Sequence, residues 1–275
     1  MTDTIYRLVN GAGRVALRAL ALDVRWTGAE HLPTRGPVIL AANHVSYPDF
    51  VFLERVALSR GRYVRFLTRH DMWQVPGLGR LLDGMGHIPV DRAAPAHAYL
   101  RARSALVAGD AVGIFPEAGI SWSFTVRPLM RGVAALARET GAPVVPLAIW
   151  GSQRVFSVGD PAPPFDWRTR GRRIDIAVGP AAYVGRDADL VEWTRTLGHT
   201  LTGMLESLQR MPAHRPRPGE VANWYPAHLG GHALTRTQAR SRDVVPGAAV
   251  TPTWGPDLDA YAPTAPRRRS DRRRP

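Results

Sequence analysis

The sequence predicts an α/β fold: a central, mostly parallel mixed sheet flanked by helices, with an N-terminal amphipathic helix and a disordered C-terminal tail. Three observations lead there. From Trp26 onward, short apolar runs alternate with helical stretches. The runs are apolar on both alternating faces, as strands covered by helices on two sides must be. After Met211 the composition turns to Pro, Arg, Gly and Ala with little periodicity. At 275 residues and 45% hydrophobic composition, the chain can bury one large core and still carry a tail.

Taken in chain order, residues 4–22 place Tyr6, Val9, Ala12, Ala16 and Leu20 on one helical stripe flanked by Arg7, Arg14 and Arg18. That pattern suits a helix lying on an anionic membrane surface, and equally one packed on its own domain. The runs Val38 to Ala42, Tyr63 to Leu67, Gly86 to Val90, Ala111 to Phe115, Val144 to Trp150 and Ile174 to Val178 are the expected strands. Helices are expected near 49–58, 76–84, 96–108 and 128–140, and a last amphipathic one near 187–210. The resulting division is 1–24 for the amphipathic membrane-associating helix, 25–212 for the catalytic domain and 213–275 for a Pro/Arg-rich, largely disordered tail. Within that tail, Asn223-Trp224-Tyr225-Pro226-Ala227-His228-Leu229 carries two aromatics suited to docking back onto the domain or a membrane interface.

Composition removes several chemistries. No cysteine is present, so there is no thiol nucleophile, disulfide or cysteine-held zinc. Every one of the 36 basic residues is arginine, which excludes a Schiff-base lysine and a Walker-type phosphate loop. The net charge of +13 favours anionic partners. Ser121 lacks the glycine two residues on that a nucleophile elbow needs, because Ser123 stands there. Leu82 replaces the third glycine of a dinucleotide loop after Gly77 and Gly79. The histidines show no close pairing with a carboxylate of the kind a metal site needs, so no metal is expected. Arginines interrupt the N-terminal apolar stretch well short of the ~20 residues that span a bilayer, and it does not read as a secretory signal. The expected location is therefore cytoplasmic, peripheral on the inner face of the cell membrane.

One segment carries the chemistry. Asn43-His44-Val45-Ser46-Tyr47-Pro48-Asp49 follows a buried strand, and Pro48 suits the first residue of the next helix. His44 then sits on a strand-to-helix loop with Asp49 in the first helical turn. A carboxylate so placed fixes the imidazole tautomer while the other ring nitrogen removes a proton from an incoming hydroxyl. The bare spacing is a weak signal; three further blocks in fixed order strengthen it. They are Gly86-His87-Ile88-Pro89-Val90-Asp91-Arg92, Phe115-Pro116-Glu117-Ala118-Gly119-Ile120-Ser121 and Val144-Val145-Pro146-Leu147-Ala148.

Together the four blocks resemble those of the glycerolipid acyltransferase family, the 1-acylglycerol-3-phosphate acyltransferases, across roughly residues 25–210. The resemblance implies transfer of a fatty acyl group from acyl-CoA or acyl-carrier protein to a lysophospholipid hydroxyl in phospholipid biosynthesis. No cofactor is implied. It implies His44 as general base with Asp49 as its partner, Arg92 and Glu117 in the acceptor site, and Gly119 in the third block. That block departs from the family pattern, which reads Phe-Pro-Glu-Gly, then Thr or Ser, then an arginine that grips phosphate. Here Ile120 holds the arginine's place, and Arg127 and Arg131 are the substitutes expected to supply guanidinium groups. The rival reading is a catalytically silent lipid-binding or nucleic-acid-binding protein using the basic tail. The final arginine run lacks interleaved aromatics, which argues against nucleic acid.

Overall fold

A computed structural model describes residues 2–159, 170–243, 252, 254 and 255. Its centre is a seven-stranded sheet formed by β1 (Asp23–Thr27), β2 (Val38–Ala42), β3 (Val64–Arg69), β4 (Ile88–Val90), β5 (Ala111–Ile114), β6 (Val144–Trp150) and β7 (Arg173–Val178). The order is β1-β7-β6-β2-β5-β3-β4, and every pairing is parallel except β6 with β7. The expected mostly parallel mixed sheet is therefore present. β1 was not expected from the sequence. It is an edge strand, DVRWT, half-exposed along its length, and only its pairing with β7 marks it.

The two-residue period of β2 divides the core. Ile39 and Ala41 pack on one face, against Leu106 and Ala102 of α4 (Pro95–Val107), Leu136 of α5 (Gly132–Thr140) and Leu201 of α6 (Leu190–Gln209). Val38, Leu40 and Ala42 pack on the other, against Phe52, Leu53 and Val56 of α2 (Asp49–Ser59). All five β2 side chains are fully buried, which is why the strand reads as an unbroken apolar run.

α1 (Thr2–Ala19) packs on its own domain along one stripe. Tyr6 is fully buried and donates its hydroxyl to the Val64 carbonyl, Asn10 bonds Glu54, and Ile5 lies against Gly84 of α3 (Leu78–Gly84). Leu8 and Val15 remain exposed. α5 begins later than expected, because Met130 donates its N–H to Pro116 and Leu129 pairs with Trp254 instead of entering the helix.

The reading of 213–275 as largely disordered is corrected for 213–243. His214, Ala222, Tyr225, Ala233 and Ala239 are buried, and this stretch ends in a short helix, α7 (Arg236–Ala239), opened by a Thr235–Gln238 capping box. The Trp224-Tyr225 patch docks on the domain: Tyr225 packs edge-on to Trp150 and donates to the Gln209 carbonyl. Its polar and Pro-rich composition hid this, since the segment buries isolated side chains without any period. The terminal arginine run lies outside the described residues.

Candidate active site

Five neighbouring strands, β6, β2, β5, β3 and β4, run parallel, so their carboxyl ends open on one edge of the sheet. In such sheets that edge is where ligands bind. The chain delivers His44 there from β2, Arg92 from β4, Glu117 from β5 and Ser152 from β6. Four residues remote in sequence thus meet because strand direction is shared.

His44 Nδ1 lies 2.9 Å from Asp49 Oδ2. The same oxygen accepts the backbone N–H groups of Val45 at 2.7 Å and Ser46 at 2.8 Å, while Oδ1 accepts the hydroxyls of Ser46 and Ser152, each at 2.6 Å. Asp49 is wholly buried at the start of α2, where five donors and the helix N-terminus engage its two oxygens. An acceptor carboxylate at Nδ1 places the proton on that nitrogen and leaves Nε2 as the basic one. The imidazole stacks on Phe115, with centroids 4.1 Å apart, and keeps 18% of its side-chain surface open. Ser46, Ser152 and Phe115 were not singled out in advance. Ser46 lay inside the first block, but Ser152 is 103 residues from Asp49 and carries no local signal.

Glu117 is buried and bridges two backbone N–H groups at 2.7 Å, His44 to Oε1 and Arg127 to Oε2. Burial pushes its carboxyl up to about 8, against the downward pull of those two bonds. Its place is structural to the site, tying the histidine loop to the third block. That block is unusual in its backbone: Ala118 sits at φ 55°, where the family pattern has glycine.

Arg92 is exposed and donates to the Ala118 carbonyl at 3.2 Å. Partial burial, then the guanidiniums of Arg69 and Arg127, hold it below the usual arginine range. Arg127 is only 5% exposed: it bonds the Ile120 carbonyl at 3.3 Å and faces Asp243 at 3.4 Å. A Cβ at Gly119 would stand 2.4 Å from Arg127 Nη1, so the glycine makes room for this guanidinium. Arg127, expected among the phosphate ligands, is thus engaged within the domain by a carboxylate of the C-terminal segment. Arg131 is exposed at the N-cap of α5, and among the described residues it forms no ion pair with the other site residues. Asp243 was hidden in a stretch read as tail.

Residues 23–150 match the family model described as Acyltransferase, and the resemblance carried by the sequence blocks is borne out over that segment. The chain is 29% identical over 136 residues to a chloroplastic 1-acyl-sn-glycerol-3-phosphate acyltransferase of Brassica napus, covering 48% of this chain and 38% of that protein. Over 147 residues it is 26% identical to the 1-acyl-sn-glycerol-3-phosphate acyltransferase of Borreliella burgdorferi, covering 52% and 57%. Against the alpha form from Homo sapiens it is 29% identical over 143 residues, covering 51% and 49%. The matched segment therefore spans 38% to 57% of the length of these relatives. Among solved structures, the fold is similar to that of the 1-acyl-sn-glycerophosphate acyltransferase from Thermotoga maritima. The TM-score is 0.62 at 20% identity, over 76% of this chain and 81% of that one.

Proposed function

Starting from an acyltransferase-family domain over residues 23–150, we propose that the chain moves a fatty acyl group from a thioester to the hydroxyl of a lysophospholipid. The donor is acyl-CoA or acyl-carrier protein, and the relatives' names favour 1-acylglycerol-3-phosphate as acceptor. The observation that carries the reading is the Asp49-oriented imidazole at the carboxyl edge of the sheet, with Nε2 unbonded among the described residues.

In this mechanism His44 Nε2 takes the acceptor's hydroxyl proton as the oxygen attacks the thioester carbonyl. Asp49 stabilises the imidazolium that forms. Collapse of the tetrahedral intermediate breaks the C–S bond, and the imidazolium returns the proton to the departing thiolate. Arg92, exposed beside the third block, holds the acceptor's phosphate. Glu117 fixes the backbone on which His44 stands. Ile120 and the covered Arg127 leave fewer guanidiniums to grip that phosphate than the family pattern supplies.

No helix among the described residues is long and apolar enough to cross a membrane. The exposed Leu8 and Val15 of α1, flanked by Arg7, Arg14 and Arg18, support contact with an anionic bilayer surface, on the inner face of the cell membrane. The decisive assay follows thioester consumption by purified protein with lysophosphatidate. His44→Ala is expected to lower kcat by about 10²–10⁴, the range for loss of a general base. Equal turnover by the two proteins would refute the assignment.

A further inference from the structure

A cavity of about 670 Å³ lies between the end of α6 and the folded-back C-terminal segment, lined among others by Arg210, Arg215, Arg217, Glu220, Tyr225 and His232. Its electrostatics are one-sided. Glu220 is the one carboxylate in the lining, and both its oxygens are committed, Oε1 to the Trp224 indole and Oε2 to the Arg217 backbone N–H. Arg210 is paired with Glu206, but among the described residues neither Arg215 nor Arg217 forms an ion pair. His232 Nδ1 accepts the Ala222 N–H at 3.1 Å, which places a ring proton on Nε2. Donors in the cavity therefore exceed acceptors, and three guanidiniums face a single carboxylate in the lining, a balance that favours an anionic ligand.

Position says which anion. Tyr225 in the cavity wall packs on Trp150, the last residue of β6, and Gln209 beside Arg210 bonds the Phe124 carbonyl of the third-block loop. The cavity accordingly belongs to the catalytic edge. In the sheet order β6-β2-β5-β3-β4, His44 leaves β2, Arg92 lies on the β4 side, and this cavity lies on the β6 side. A cationic centre thus lies on each side of the base in the strand order, an arrangement suited to two anionic substrates. A concavity of this size suits a small ligand, whereas a carrier protein would need an open patch of roughly 800 Å².

We propose that this cavity is the donor's phosphate subsite, holding the 3′-phosphate and diphosphate of coenzyme A with Arg215, Arg217 and His232. The proposal rests on the acyl-transfer reading for its ligand, while the site itself is testable without turnover. Adenosine 3′,5′-bisphosphate is titrated calorimetrically into the 275-residue chain and its Arg215→Ala/Arg217→Ala variant. Both side chains are exposed, so the variant is expected to fold, with a thermal melt as control. The variant should bind on the order of tenfold more weakly or worse, with a matching rise in KM for acyl-CoA and an unaltered KM for lysophosphatidate. Equal bisphosphate affinity in the two proteins overturns the site. Bisphosphate binding lost in the variant, with no acyl transfer by the wild type, upholds the anion site and overturns the transfer reading. Normal transfer by the variant with an unchanged KM for acyl-CoA does the reverse. If the variant instead loses binding to phosphatidylglycerol vesicles while keeping its bisphosphate affinity, the cavity takes lipid headgroups and the proposal falls.

Discussion

Ala118 holds a left-handed backbone at φ 55° in the loop that joins Glu117 to Arg127, and its carbonyl receives Arg92. An L side chain there costs about 1–2 kcal/mol, which glycine avoids. Ala118→Gly is therefore expected to raise stability by about 1 kcal/mol, read as a shift in the urea midpoint at constant slope. The strain is legible only with the backbone in hand. In the sequence, Ala118 stands simply as a departure from the Phe-Pro-Glu-Gly pattern. His44, Asp49 and Glu117 were legible because each follows a strand end within a recognisable block. Ser152 and Asp243 were not, since each meets its partner through the fold alone.

Among the elements, α1 is tied down by a buried carboxyl. Glu54 of α2 lies 3.4 Å from the Tyr6 hydroxyl and accepts Asn10 at 3.3 Å and the Val64 N–H at 3.2 Å. Burial pushes Glu54 up to about 7 from an ordinary value of 4.5. The folded state then binds more protons than the unfolded chain between those values, so Glu54's contribution to stability falls as pH rises from about 4.5 to about 7. Urea unfolding across that range should show a shallower decline for Glu54→Gln than for wild type, and parallel curves would contradict the assignment. The core strands and most helices were legible because burial on two faces, or a 3.6-residue stripe, is written into composition. The 213–243 segment was not: it clasps the third-block loop through Asp243 against Arg127, Arg236 against Thr125 and Arg242 over Trp122, contacts that leave no periodic trace.

The molecule as a whole carries +13, and its expected membrane partner is anionic. Binding to vesicles containing phosphatidylglycerol should therefore weaken steeply as salt rises, because the screening length shrinks from about 10 Å at 0.1 M to about 3 Å at 1 M. Cosedimentation that ignores salt would mean that insertion of the exposed apolar side chains of α1, rather than charge, supplies most of the attraction.

The edge position of β1 also bears on how the chain assembles during synthesis. β1 leaves the ribosome first among the strands, yet its partner, Arg173–Ala177 of β7, leaves last. The five-strand parallel block can form from successive crossovers while β1 waits without a ladder, and the antiparallel return of β7 beside β6 creates the edge it needs. A nascent chain halted before Arg173 would hold the histidine loop and the third block, but would leave β6 as an open border and Asp23–Thr27 as a loose strand seeking a mate. The last strand of the sheet thus acts as the closing stitch on its first.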